Sequence, residues 1–225
     1  MIFVEKEKFD LKNIKFEKKH LNIDMVLINT QHMKKSNLLF SLLASILILA
    51  SFTIRKDDVY SVENDRSTIS WSAKKVLGGH VGTVKITSGT LVYDGKGLKG
   101  GSFVMDLANL TSDSERLTTH LKNDDFFSVD KYPTSKFDIT KVSPAGTDRV
   151  NITGNLTIKG ITHPITFPAS VKQQKGIIVA VASGVKVDRT KYDIKYRSKN
   201  FFGDIGDKAI EDEFELNINL SAKKK

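Results

Sequence analysis

From Val59 onward, apolar side chains return at every second residue, and that period decides what the chain can fold into. Between Asp148 and Lys159, Val150, Ile152, Leu156 and Ile158 fall on one side, with Asn151, Thr153, Asn155 and Thr157 on the other. A strand presents successive side chains to opposite faces, so this is a strand with one dry and one wet surface. Phe214, Leu216, Ile218 and Leu220 repeat the pattern against Glu213, Glu215, Asn217 and Asn219. So do Ile69, Trp71 and Ala73; Phe103, Met105 and Leu107; Phe137 and Ile139; and Ile165, Phe167, Ala169 and Val171. The same spacing reads Ile177, Val179, Val181, Val185 and Val187 as one face of a further strand.

Turn residues punctuate these runs at Asp94-Gly95, Pro144-Ala145-Gly146, Lys159-Gly160 and Lys175-Gly176. Eight or nine strands at this spacing predict an all-β fold, an antiparallel barrel or sandwich. One insert departs from the period. Ser112-Asp113-Ser114-Glu115 reads as a capping box, and Leu117 and Leu121 recur at helical spacing, so a short helix is expected over 113–123. No linker or internal repeat divides residues 57–222, which read as one domain.

The N-terminus has a different grammar. Met33-Lys34-Lys35-Ser36-Asn37 precedes an apolar run from Leu38 to Ala50, the layout of a signal peptide over 33–55, with cleavage expected after Ala50 or Ser51. A retained membrane anchor is the alternative, since the run extends to Ile54. Residues 1–32, rich in Lys, Ile and Asn, are expected to be a non-native upstream extension, with translation starting at Met33. The expected location is therefore periplasmic or secreted.

Charge and composition narrow the function. Of the formal +9, residues 1–55 hold nine basic against five acidic side chains, which leaves the domain a surplus of only five. No basic run beyond Lys223-Lys224-Lys225 marks a nucleic-acid face. With no cysteine, thiol catalysis, disulfides, Cys-ligated metals and iron–sulfur clusters are excluded. His80, His120 and His163 share no metal-ligand spacing, so neither a metal nor a cofactor is expected. Gly95-Lys96-Gly97-Leu98-Lys99-Gly100 matches a dinucleotide fingerprint letter for letter, but a strand follows it where a helix is required, so it reads as a hairpin connection. Phe201-Phe202 is expected to cover a barrel end or line an apolar opening. No catalytic constellation is visible, which favours a binding module over an enzyme.

The stretch Arg116-Leu117-Thr118-Thr119-His120-Leu121, then Asp125-Phe126-Phe127 and Tyr132-Pro133, resembles the YceI family. Gly154-Asn155-Leu156-Thr157-Ile158-Lys159-Gly160-Ile161-Thr162-His163-Pro164-Ile165, Asp188-Arg189-Thr190-Lys191-Tyr192 and Gly206-Asp207-Lys208-Ala209-Ile210 extend the likeness over residues 59–220. The resemblance implies an extended, eight-stranded, lipocalin-like antiparallel barrel that holds a polyisoprenoid or similar long apolar chain, in exported bacterial proteins that are often dimeric. The chain departs from the family pattern at Asn64-Asp65-Arg66-Ser67-Thr68, where many members carry a histidine, and at Asp193, where many carry glycine.

On this reading the ligand wall is expected from Trp71, Val84, Phe103, Met105, Phe137, Ile152 and Val181, although inward residues of a small barrel also simply fill it. Arg66, Arg116, His120 and Arg189 are the expected polar groups at the cavity mouth. The partner would be an apolar lipid, with transient membrane contact and a homodimer as further expectations. Two readings compete with this one. The first is an enzyme acting on a bound lipid through His120, Asp125 and Arg189; the second is a structural or stress module whose barrel is packed solid.

Overall fold

The structure is a computed structural model that describes residues 56–203 and 205–225. The upstream extension over 1–32 and the export signal over 33–55 lie outside the described residues. Along the chain follow β1 (Asp58–Val62), β2 (Thr68–Lys75), β3 (Gly79–Tyr93), β4 (Leu98–Ser112), α1 (Glu115–Lys122) and β5 (Thr134–Gly146). Then come β6 (Arg149–Ile158), β7 (Ile161–Gln174), β8 (Ile177–Asp188), α2 (Lys199–Phe202) and β9 (Ile210–Lys224).

Every strand pairs antiparallel with its neighbours, in the order β3-β2-β9-β8-β7-β6-β5-β4, and β4 returns to β3 to close the ring. Nine strands occupy eight positions because β1 and β2 form one stave in two pieces. β1 pairs with the far halves of β3 and β9, through Tyr60↔Leu91 and Tyr60↔Lys224. β2 takes the near halves, through Ile69↔Val84 and Ile69↔Ile218. A 3-10 turn at Asn64–Arg66 separates them, and buried Ser67 ties the break: its hydroxyl donates to the Glu63 carbonyl (2.7 Å) and accepts from the Ser221 amide (3.1 Å). Closure removes the unpaired edges of an open sheet. Among the described residues all strand pairing is internal, and Lys56–Lys225 form one compact unit. Three strands of 15 residues make the barrel long, the extended form that the family resemblance implied.

The ends differ. One carries the β3–β4, β5–β6 and β7–β8 hairpins; the other carries the α1 insert, the β6–β7 hairpin, the β2–β3 hairpin and the β8–β9 connection. Lys159-Gly160 and Lys175-Gly176 both sit at positive φ (51° and 73°; 50° and 77°), the type I′ geometry whose twist matches the flanking strands. At the β3–β4 turn the Asp94 carboxylate accepts from the amides of Lys96 and Gly97 at 2.8 and 2.9 Å, and these bonds hold it below the usual carboxylate range. The Gly95–Gly100 segment is a hairpin connection, as its context required.

Two details differ from the sequence reading. The cap of α1 is Ser114, whose hydroxyl accepts from the Leu117 amide, and Ser112 instead braces the preceding turn through Thr118. The face of β8 is also not continuous. Ile178, Ala180 and Ala182 point inward, then a bulge at Ser183-Gly184 shifts the phase so that Val185 and Val187 do. Gly184 takes φ +64° there, and its amide donates to the Asn217 side chain at 3.0 Å. Val179 and Val181 are therefore outward, 42% and 40% exposed.

Candidate functional site

The inward residues leave a cavity of about 100 Å3 toward the insert end. Trp71 and Ala73 of β2, Val84 of β3, Met105 of β4 and Phe214 and Leu216 of β9 form its walls. Leu121, Phe126 and Phe127 from the α1 segment, with Ile194 from the β8–β9 connection and Ile210 at the start of β9, form the top. Only Ser135 and Arg189 interrupt an otherwise apolar lining, and the Ser135 hydroxyl is spent on the Thr157 carbonyl at 2.8 Å.

A second cavity, about 30 Å3, lies further down the barrel among Leu91, Phe103, Phe137, Ile152, Phe167 and Leu220. Its upper boundary is a ladder of three rings: Phe103 to Phe137 at 5.5 Å and Phe137 to Phe167 at 5.6 Å between centroids, tilted 44° and 40°. One step nearer the insert end, Met105 of β4 and Ser135 of β5 line the upper cavity, together with Leu156 of β6. Glycine makes room for the ladder. A Cβ on Gly154 would collide with the Phe137 ring and stand 2.6 Å from the Asp138 carbonyl. Gly82 does the same for Trp71, whose ring would be 2.7 Å from an added Cβ, while the indole N–H donates to the Thr111 carbonyl at 3.2 Å.

The residues expected to form the wall divide between the two spaces. Trp71, Val84 and Met105 border the upper cavity; Phe103, Phe137 and Ile152 border the lower. Val181 borders the lower cavity only from the outward side of its strand, a misplacement that follows from the β8 bulge. Several wall residues were missing from that set. Phe214 and Leu216 had been visible in the alternation of the last strand. Phe126 and Phe127 were visible only inside the family-like motif, and Ile194 carries no periodic signal at all.

The polar set behaves differently from its expectation. Arg66 lies on the outside of the two-piece stave, its side chain 67% exposed beside Glu63 at 3.9 Å, and does not reach the mouth. Arg116 is exposed on α1, without an ion pair among the described residues. Arg189 is 5% exposed and has no free donor. Its Nε donates to the Glu211 carbonyl (3.0 Å) and Nη1 to the carbonyls of Ile194 (2.8 Å) and Tyr196 (3.0 Å). Nη2 donates to the Ile210 carbonyl (3.1 Å) and the Asp212 carboxylate (3.4 Å). A guanidinium offers five N–H groups, so Arg189 is a clamp on the β8–β9 connection and presents only its stem to the cavity. Burial lowers its pKa, opposed by Asp212 and Asp188.

His120 packs against Phe126 of the cavity lining. It donates from Nε2 to Asp125 at 3.0 Å, and its ring meets the edges of Phe126 (5.0 Å) and Tyr196 (4.9 Å). His120 and Asp125 thus come together, but Arg189 does not join them. His80 and His163 are also engaged, with Asp113 and Lys75 and with the Lys191 carbonyl respectively.

A closed eight-position antiparallel barrel with an apolar interior and a short helix folded over one end is a lipocalin-like barrel. More narrowly, the chain belongs to the YceI-like domain family, whose pattern matches residues 60–222. Protein YceI of Salmonella newport is 29% identical over 148 residues, spanning 62% of this chain and 74% of that one. A UPF0312 protein of Shewanella denitrificans is 29% identical over 140 residues, spanning 60% of this chain and 72% of its own. Two solved structures share the fold. Burkholderia cenocepacia BcnA superposes with a TM-score of 0.63 at 21% identity, over 72% of this chain and 99% of that one. A polyisoprenoid binding domain from Saccharophagus degradans, implicated in plant cell wall breakdown, gives 0.56 at 13% identity, over 74% and 98%.

Proposed function

We propose that this protein is exported and holds a polyisoprenoid or similar long-chain apolar lipid, isoprenoid quinones included, inside its barrel, so as to carry, store or protect it. The observation that carries this reading is the pair of apolar cavities stacked along the barrel axis. An enclosed apolar space gains roughly 25 cal/mol per Å2 of hydrocarbon surface removed from water, before ordering costs. Neither cavity alone takes a long chain, so the Phe103–Phe137–Phe167 ladder has to turn as the chain enters. The polyisoprenoid binding domain of S. degradans supports the choice of ligand class, and the Met33-to-Ala50 segment supports export. The polar chemistry favours holding over catalysis: Arg189 is fully committed to backbone carbonyls and Asp212, which leaves His120 and Asp125 to meet a head group at the mouth.

Trp71 is the single tryptophan of the chain and lies on the upper cavity wall, so its emission reports occupancy directly. Titrating residues 56–225 with a polyprenol should shift that emission saturably to the blue, with one chain bound per barrel. A linear, non-saturating response equal to that of free tryptophan would refute the reading.

A further inference from the structure

Two loops at the insert end hold apolar side chains out into water. The β2–β3 hairpin ends in Val76 and Leu77, 43% and 73% exposed, and α2 ends in Phe201 and Phe202, 51% and 56% exposed. Glycines at positive φ turn the chain sharply at each tip, Gly78 at +80° and Gly203 at +63°. Phe201 and Phe202, expected to cover a barrel end or line an apolar opening, are more than half exposed and line neither cavity. The loops are neighbours, because Lys75 pairs with Ile210, whose amide donates to the Arg197 carbonyl at 3.0 Å. Ile210 itself lines the upper cavity, so both tips flank the cavity rim.

The tip segments themselves carry a basic surplus. Segments 74–79 and 195–208 hold six basic residues, Lys74, Lys75, Lys195, Arg197, Lys199 and Lys208, against Asp204 and Asp207. Lys74 is paired with Glu215, and Lys195 with Asp193 while lying 5.1 Å over the Phe201 ring. Arg197, Lys199 and Lys208 have no ion pair among the described residues. The acidic residues of this end lie outside the two tip segments, at Asp124, Asp125 and Asp130 of the α1 segment and at Asp193, Glu211, Asp212 and Glu213 on either side of the second tip segment, where Asp212 accepts from Asn200.

We propose that the Val76-Leu77 and Phe201-Phe202 tips, with their basic surround, are a docking face for an anionic lipid bilayer. Two convex apolar tips dip into a headgroup layer, whereas a stable protein partner needs a broad complementary face of about 800 Å2. The basic groups are attracted to anionic headgroups at short range. Docking in this pose turns the cavity rim toward the membrane. The inference rests on the lipid-holding reading, since a bilayer is the reservoir for such a cargo.

The test is co-sedimentation of residues 56–225 with vesicles of phosphatidylcholine alone or with about 30 mol% phosphatidylglycerol, free of polyisoprenoid, at low and high salt. The expected result is roughly tenfold stronger partitioning onto the anionic vesicles, largely lost at high salt. The triple variant Leu77→Ser, Phe201→Ser, Phe202→Ser should lose it at least roughly tenfold, and Val179→Ser should not. Equal binding of the triple variant, or no preference for anionic lipid, overturns the proposal. So does self-association that the same substitutions abolish, which would give the face to a second copy of the chain. The Trp71 titration with polyprenol separates the two ideas. Lost vesicle binding with an intact Trp71 response leaves only the cargo reading; vesicle binding without that response leaves only the docking face.

Discussion

Arg189 shows how a residue type can be legible while its role is not. Its sequence neighbourhood marks it as distinctive, and an arginine near a lipid cavity invites an anionic head group. Four backbone carbonyls and Asp212 use up all five of its donors instead, and no local pattern foretells which distant carbonyls will converge. Arg189→Lys keeps the charge but not the planar fork, so it should destabilise the protein by about 3 kcal/mol, read by chemical denaturation, with the β8–β9 connection the first segment to exchange its amides. A neutral substitution would mean that the clamp is incidental. The second residue-scale test is Gly82→Ala. An added Cβ meets the Trp71 ring at 2.7 Å and collides with the Thr111 carbonyl, so the variant should lose about 1–3 kcal/mol and change the Trp71 emission of the free protein. An unaltered melt and spectrum would show that the wall yields more easily than its geometry implies.

Elements were legible wherever one face is dry along the whole strand. β6 follows its two-residue period from end to end and β9 from Phe214 to Leu220, and there the period alone identifies the inward residues. β8 does not, because the bulge at Ser183-Gly184 exchanges its faces midway. Its valines on either side obey the same odd spacing, so the pattern looked unbroken. The correction makes a sharp prediction from adjacent residues. Ala182→Phe points into the lower cavity, so it should cost about 1–3 kcal/mol and weaken polyprenol binding. Val181→Phe points to solvent and should change stability by less than about 0.5 kcal/mol, with binding intact. Denaturation and the Trp71 titration read both, and equal effects would contradict the assigned faces. The helix insert was legible as an element but not at its cap. The S-x-x-E signature at Ser112 is displaced by Ser114, so Ser114→Ala is the change that should fray α1, at about 1 kcal/mol.

At the scale of the molecule, alternation plus tight turns is enough to specify an antiparallel all-β chain, and the family-like motifs specify a long closed barrel. The empty space inside was not legible. A cavity is the difference between the volume the barrel encloses and the volume its side chains fill, and that depends on strand stagger and on glycines such as Gly82 and Gly154 that seat large rings. The two-piece β1–β2 stave was equally hidden, since its halves meet only through pairing with β3 and β9. If the ring ladder divides one channel into two, Phe137→Leu should join the cavities at a cost of about 1–2 kcal/mol and move the bound population toward longer chains, as resolved by mass spectrometry.

The central claim is that the barrel carries a lipid. Its most direct test is mass spectrometry of the organic extract from protein exported in a bacterial host and purified without detergent. The account predicts one prenyl lipid or similar long apolar chain per barrel, lost when Ala182→Phe narrows the channel. A clean extract, unchanged after incubation with membranes, would contradict it and leave a barrel whose work lies on its outer surface.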